Sequence, residues 1–424
     1  MSYDTVVVGA GLAGLTAALR LSERRRRVLV VARGVGATHL APATVEVLGY
    51  LGDNRVLSPA ASLPALSNGH PYGHVSVDQV TTALAWFCAH TASLGYAGSL
   101  DENMLLPTPI GVPKPSAFAP RSMAGGDVRN GGRFVFVGLR GFKDFHPMLI
   151  ADNLRHARLP QPIETRALEL EPPASRMGDL SGRVIAGRFD TQNLADWLVG
   201  ALDGRTDADE RIGLPAVLGL RSGDAIWQDL EKRLQRRVFE VATLPPSLPG
   251  IRLYQALANA LRVSGAHIVL GVRAVGTRAV GGRIEAVEVA NATGTVTYPV
   301  TSVVLASGGF ASGGLELDSF GTTRETVFDL PLIGLAETDR VRFAPHYFDA
   351  QPLATAGVAT DDLLRPVDGS GNPVYENLHA AGAILGGATP WKEKSGTGIS
   401  VVTGYAAAEA ILAPAARPVP EAVG

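Results

Sequence analysis

The feature that most constrains this chain is a strand, a glycine-rich turn and a helix packed into its first 24 residues. Residues 4–8, Asp-Thr-Val-Val-Val, are β-branched and apolar and run straight into glycine, which predicts a short buried strand. Residues 13–24 place Leu15, Ala18 and Leu19 at helical spacing with Ala17 beside them, and residues 28–32, Val-Leu-Val-Val-Ala, predict a second buried strand. A strand–helix–strand unit of this size implies a parallel sheet covered by helices. Its turn reads Gly9-Ala10-Gly11-Leu12-Ala13-Gly14. In such a turn the first glycine permits the tight bend and the second lets backbone approach a pyrophosphate. The third lets helix pack on strand, and the helix N-terminus attracts the phosphate charge. The pattern is weak alone; between a clear strand and a clear helix it is specific.

One expected part is missing. A dinucleotide fold offers Asp or Glu at the end of its second strand for the ribose hydroxyls, and here that place holds Arg33-Gly34. Arginine suits phosphate rather than ribose, so the adenosine half of a cofactor is either held unusually or absent, leaving a mononucleotide. Two further glycine motifs follow. Val303-Val304-Leu305-Ala306-Ser307-Gly308-Gly309-Phe310 comes after strands expected at 283–289 and 295–299, and resembles the second flavin signature of fumarate reductase-like flavoproteins. Asn377-Leu378-His379-Ala380-Ala381-Gly382 continues through Gly386-Gly387 to Ser395-Gly396-Thr397-Gly398 and an Ala-rich helix. Backbone N–H groups at such a helix start stabilise negative charge at the N1/O2 edge of a flavin. Together the three motifs predict a flavoprotein. The cofactor-contact candidates are Gly9, Gly11, Gly14, Arg33, Gly34, His39, Gly308, Gly309, Gly382, Gly387, Gly396 and Gly398.

The expected class is α/β: a Rossmann-like two-dinucleotide-binding-domain flavoprotein fold with an inserted α/β cap domain. With 424 residues, 46% hydrophobic and only 18% charged, the chain can bury the cores of two lobes. The division expected is a flavin-binding part over 1–75, a cap or substrate domain over 76–248, a second flavin-binding part over 249–314, a cap segment over 315–350 and a C-terminal flavin-binding part over 351–424. Residues 52–132 read as irregular apart from a helix near 78–94, and a strand near 134–138, a helix near 146–157 and an α/β stretch over 214–243 follow.

The net charge of −2 gives no bulk electrostatic case for nucleic acid or an anionic membrane. Arg24 to Arg27, the one notable charge run, reads as a solvated helix end. No segment approaches the roughly 18 apolar residues that cross a bilayer, and Asp4 interrupts any signal peptide, so a cytoplasmic protein is expected. Cys88 is the only cysteine, and one thiol cannot hold an iron–sulfur cluster, which usually needs four; such a centre must sit on another chain. Cys88 lies in an apolar helical stretch and reads as inert. No metal-ligand cluster, Ser-His-Asp order or nucleotide P-loop is visible.

Outside the flavin motifs, nearly the whole chain resembles the B subunits of the anaerobic glycerol-3-phosphate dehydrogenase complexes. The residues carrying the resemblance are Leu244-Pro245-Pro246-Ser247, Gly250-Ile251-Arg252-Leu253, Phe348 with Ala350-Gln351-Pro352, Gly357, Thr360-Asp361 and Leu364-Arg365-Pro366. His70-Pro71-Tyr72, Gly141-Phe142, Asp144-Phe145, Arg188-Phe189 and Arg324-Glu325 also fit. The resemblance implies oxidation of glycerol 3-phosphate to dihydroxyacetone phosphate, with electrons passed to a quinone pool in anaerobic respiration on fumarate or nitrate. It implies a second, A-like flavoprotein subunit and a cysteine-rich, C-like iron–sulfur subunit that attaches the pair to the inner face of the membrane. It names FMN, whereas the fold leans toward FAD. Trp391-Lys392-Glu393-Lys394 departs from the smaller, glycine-rich run the family shows there, and lysines beside a flavin would raise its potential or bind an anion.

Substrate oxidation on this chain needs a base for the hydroxyl proton and cations for the phosphate. His39, His70, His346 and His379 are the histidines near the motifs, and Arg252, Arg324 and Arg365 are the anion-binding candidates, each equally readable as an ion-pair member. Two other functions compete: a self-sufficient fumarate reductase-like dehydrogenase for another small acid or ketone, and a non-catalytic scaffold that binds flavin.

Overall fold

The computed structural model describes residues 3–173, 180–191, 193–335, 343–346, 349–351 and 353–414. Phe348 and Pro352, which helped carry the resemblance, lie outside the described residues, as do 336–342 and 347 of the expected second cap segment and 415–424 at the C-terminus. Along the chain come β1 (Thr5–Val8), α1 (Leu12–Glu23), β2 (Val28–Ala32), α2 (Val77–His90), β3 (Gly132–Leu139), α3 (Pro147–Arg155), β4 (Ile163–Leu170), α4 (Gly182–Thr191), α5 (Leu194–Leu202), β5 (Glu210–Pro215), α6 (Gly223–Leu234), β6 (Val238–Val241), α7 (Leu248–Val263), β7 (His267–Leu270), β8 (Arg273–Val280), β9 (Arg283–Asn291), β10 (Gly294–Pro299), β11 (Ser302–Leu305), β12 (Leu378–Ala380) and α8 (Gly396–Leu412).

The main sheet is parallel throughout, in the order β7-β2-β1-β11-β12. Its strands are continuous apolar runs because both faces are covered. Val7, Val28 and Val30 face a core shared with Leu15 and Leu19 of α1, Leu257 of α7 and Val401 of α8. Val6, Val8, Leu29 and Val31 face the other way, onto Ile284, Val287 and Val289. Those three belong to the antiparallel meander β8-β9-β10, which covers that face. Each such buried aliphatic side chain contributes roughly 1.5–3 kcal/mol. The strand at 273–280 departs from the sequence expectation: its residues, Arg-Ala-Val-Gly-Thr-Arg-Ala-Val, break the apolar pattern, and the strand is mostly exposed and held by its ladder to β9.

The second sheet, β4-β3-β5-β6, is also parallel. Phe134, Phe136 and Phe239 meet at its centre, Phe239 edge-on to both others at 6.1 and 6.0 Å. Helices α3 to α6 close its faces, with Leu154, Ile185, Leu198 and Leu230 in the same core. Helix α7 ties the lobes together. Leu248 and Ile251 in its first turn sit in the cap core, and Leu253, Leu257 and Leu261 in the main one. Helix α2 packs Val80, Leu84 and Phe87 into the main core although it falls within residues 76–248. The stretch expected to be irregular holds short strands, among them Met104–Pro107 paired antiparallel with Pro113–Ser116. Its prolines remove ladder donors and hide the alternation.

Candidate functional site

In an open parallel sheet the ligand crevice lies outside the carboxyl ends of the strands, where the strand order reverses. Here the chain leaves β1 for β2 on one side, while β11 and β12 return on the other, so the reversal falls between β1 and β11. The three glycine motifs are the loops leaving β1, β11 and β12.

Close backbone contacts lock these loops together. Gly9 has φ +116°, and a methyl group on it would lie 2.1 Å from the carbonyl oxygen of Ala306, at the end of β11. A methyl on Gly14 would lie 2.0 Å from the carbonyl oxygen of Gly9, so α1 sits against its own strand only because Gly14 has no side chain. The third loop meets α8, α1 and the second loop: the Gly382 N–H donates to Thr403 Oγ1 of α8 at 2.9 Å, its missing Cβ would lie 2.7 Å from Ala13 Cβ, and a methyl on Gly309 would lie 3.0 Å from the Ala383 carbonyl oxygen. Gly11 differs. A methyl there meets nothing within 4 Å, and Gly11 is the N-cap of α1 with no side-chain cap and no acid in the first turn. The positive end of α1 therefore opens onto free space.

The segments after β2 and β11 carry polar atoms that fit a bound polar group. Thr38 Oγ1, His39 Nε2 and Ser307 Oγ are buried without a hydrogen-bond partner among the described residues. Ser307 follows β11, and Thr38 and His39 lie in the short helical turn Gly36–Leu40 after β2. That turn is pinned from the cap side: the Ser247 N–H donates to the His39 carbonyl at 2.8 Å, and Gly250 of α7 packs on the Thr38 carbonyl. The His39 ring lies edge-on to Tyr254, 5.0 Å between centroids. Burial, with the charge of Arg183 on α4 adding to it, pulls the His39 imidazole below its ordinary value, which leaves it neutral at pH 7.

The other candidates divide. Gly308 and Gly309 lie in the loop after β11, and Gly34 is open and next to Arg33. Arg33 is exposed, lies with its guanidinium against Gly313, three residues past the second motif, and has no hydrogen bond or ion pair among the described residues. Gly396 and Gly398 begin α8. Gly387 points elsewhere, onto the backbone of Gly69. The three arginines are not brought together. Arg252 forms two hydrogen bonds to Glu240, at 2.7 and 3.0 Å, inside the cap. Arg324 pairs with Glu316 at 2.7 Å across an exposed hairpin, and Arg365 pairs with Asp361 at 2.7 Å. Each guanidinium is paired with a carboxylate. His70 accepts from the Tyr72 N–H at Nδ1 and meets Glu393 at 3.1 Å through Nε2. His379 donates from Nδ1 to the Leu363 carbonyl, and burial pulls it below its ordinary value. The His346 carbonyl accepts from Gln351 Nε2 at 2.9 Å.

Sequence reasoning misses a buried charged cluster at the start of α8, built on Glu46 and Lys114, 2.7 Å apart. Its one signal is a glutamate inside the apolar run Ala43-Thr44-Val45-Glu46-Val47-Leu48, since a carboxylate so placed is buried only with partners. In the departing run Trp391–Lys394, Pro390–Glu393 form a helical turn, and Glu393 accepts from His70 and Ser395.

A parallel sheet, a glycine crevice at its reversal point and an open helix end define a class, the nucleotide-cofactor oxidoreductases with a flavin. The family model described as "FAD binding domain" matches residues 4–399. Among curated relatives, the probable anaerobic glycerol-3-phosphate dehydrogenase B subunit of Halobacterium salinarum is 34% identical over 421 residues, covering 96% of this chain and 97% of that one. The anaerobic glycerol-3-phosphate dehydrogenase B subunit of Yersinia pseudotuberculosis is 32% identical, covering 97% and 98%. The chain belongs to the FAD binding domain family and, within it, to the family of anaerobic glycerol-3-phosphate dehydrogenase B subunits. Among solved structures, the open conformation of a flavocytochrome c3 fumarate reductase shares 11% identity over 97% of this chain and 79% of that one, with a TM-score of 0.43, too loose a likeness to weigh.

Proposed function

We propose that this chain is the flavin subunit of a glycerol-3-phosphate:quinone oxidoreductase, taking up electrons and passing them through an iron–sulfur partner to the quinone pool. The observation that carries the reading is the crevice itself: three glycine loops at the uncapped end of α1, where a methyl on Gly11 would meet no protein atom within 4 Å, with Thr38, His39 and Ser307 left unpartnered in the segments that follow β2 and β11. A bound flavin supplies the two-electron acceptor. The chain's own part is to hold its phosphate on the α1 N-terminus and to offer Ser307, Thr38 and neutral His39 as hydrogen-bond partners. Gly308, Gly309 and Gly382 keep backbone close along its length.

Arg33 supports FMN. It stands where an adenosine ribose would need a carboxylate, and among the described residues it is a free cation beside the second motif, suited to a terminal phosphate. The single cysteine supports dependence on other subunits for any iron–sulfur relay. No helix of the described residues is long and apolar enough to cross a membrane, so attachment to the inner face is assigned to the partner. By shared core, we place the cap at about 104–251, with α2 on the flavin side and the first turn of α7 shared.

The test is to purify the chain alone and with its A-like and C-like partners. The account expects one flavin of FMN mass per chain, and quinone-analogue reduction by glycerol 3-phosphate only in the assembled complex. Fast turnover of glycerol 3-phosphate by the isolated chain would refute the relay role.

A further inference from the structure

The function just proposed leaves the charged cluster at the start of α8 without a role. Glu46 and Lys114 are both shielded from solvent, with side chains 10% and 19% exposed. Glu46 accepts at Oε1 from Lys114, from Thr44 and, at 3.1 Å, from Ser116; at Oε2 it accepts from Thr397 Oγ1 at 3.0 Å. Its carbonyl accepts from the Gly398 N–H at 2.8 Å. The carboxylate is thereby tied to the first turn of α8. Lys114 also donates to Thr44 at 2.9 Å. Burial pushes Glu46 up, but the charge and hydrogen bond of Lys114 and the hydroxyls of Thr44 and Thr397 outweigh it and hold the carboxyl below the usual range. A buried pair of this kind is a poor source of stability, since apolar residues of the same volume usually serve as well.

Its position suggests a reason. Helix α8 runs alongside α1 in the same direction: Gly404 packs on the Ala13 carbonyl, and further along Arg20 meets Glu409 at 2.6 Å. Residues 396–400 therefore extend past the start of α1 at the crevice end of the sheet. Helix α8 has 17 residues, no side-chain cap at Ser395 and no acid in its own first turn. A second unsatisfied group points at the same turn. The Tyr72 hydroxyl is buried with no partner among the described residues and lies 2.3 Å from where a Gly398 methyl would be. The other charged groups near it are Glu393, turned to His70 and Ser395, and Lys394, which burial and the repulsion of Lys114 pull below the ordinary ammonium range.

We propose that Glu46 and Lys114 are positioning residues that set the reduction potential of the bound flavin by fixing the net charge at the N-terminus of α8. The proposal rests on the flavin-binding reading above. Reduction adds negative charge to the ring system, so a carboxylate on the helix end opposes it and an ammonium beside that carboxylate favours it. The two side chains then have opposite effects that no purely structural role produces.

The experiment measures the flavin midpoint potential of the full-length chain against reference dyes, for wild type, Glu46→Gln, Lys114→Met and Lys114→Arg. The expected result is a positive shift in Glu46→Gln, a negative shift in Lys114→Met and no shift in Lys114→Arg. If Lys114→Met does not fold, Lys114→Gln removes the charge while keeping a donor for Thr44 and carries the same expectation. Flavin-loaded variants with potentials equal to wild type, or both shifted the same way, overturn the proposal alone. A wild-type chain that takes up no flavin overturns the binding reading, and this proposal with it.

Discussion

Arg252 is a side chain for which the sequence leaves two readings equally open, anion ligand and ion-pair member. An arginine near the motifs is a natural anion ligand, but its partner Glu240 is wholly buried and also accepts from the Leu218 N–H and Ser122. Removing the guanidinium strands a buried carboxylate, so Arg252→Met should lose about 3–5 kcal/mol of unfolding free energy in urea. Arg252→Met combined with Glu240→Leu should recover most of that loss; equal stability of Arg252→Met and wild type would return Arg252 to the free cations. The pair is not legible in the sequence because Arg252 is on helix α7 and its partner on strand β6, and nothing in the spacing selects Glu240 over other carboxylates. The Arg365–Asp361 pair, four residues apart, is within reach of a local reading. So is the inertness of Cys88, which its apolar helical context conveys. Burial pushes its thiol up to about 11, leaving about one thiolate in a thousand at pH 8. An aromatic disulfide reagent should therefore find almost no reactive thiol in the native chain and one equivalent after unfolding.

At the scale of elements, what is legible is what is local. The unit β1-α1-β2 announces itself because the period changes from apolar run to helical spacing across a glycine turn, and its ends match the expectation to within about two residues. Strands β4 and β8 escape notice: the one carries charges in alternation and lies among prolines, the other is exposed and broken by a glycine. Helices α4 and α5 escape too, the first because two glycines interrupt it. Membership of α2 in the main core cannot be read, since an amphipathic helix shows which face it buries but not against what. The helix–strand packing of β1 and α1 gives a sharp test. Gly14→Val puts three carbons where a single Cβ already lies 2.0 Å from backbone, so soluble folded protein should be lost, measured by circular dichroism and yield. Helix α7, which joins the lobes, is capped by Ser247 Oγ accepting from the Gly250 N–H at 3.2 Å. Ser247→Ala should cost about 1 kcal/mol in denaturant unfolding.

For the whole molecule, the Glu46 carboxyl makes stability depend on pH in a defined direction. Its folded value is lowered, so its contribution is complete above the ordinary unfolded value near pH ~4.3 and is lost as pH falls through the folded value. Acid unfolding should therefore steepen below about pH 4 in wild type and be shallower in Glu46→Gln, whose side chain cannot titrate. That dependence, like the assembly of the crevice, belongs to the tertiary fold. Glu46, Lys114 and Thr397 come from three distant stretches, as do Gly9, Ser307 and Gly382, but the latter three sit in motifs that name their own chemistry and so can be found. The central claim, that the space before α1 holds a flavin, is tested most directly at Gly11, where an added methyl meets no protein atom within 4 Å. The measurement is flavin per chain alongside melting temperature for wild type and Gly11→Val. The account predicts a melting temperature for flavin-free Gly11→Val close to that of flavin-stripped wild type, with flavin content falling at least tenfold. Full flavin occupancy in folded Gly11→Val would contradict it.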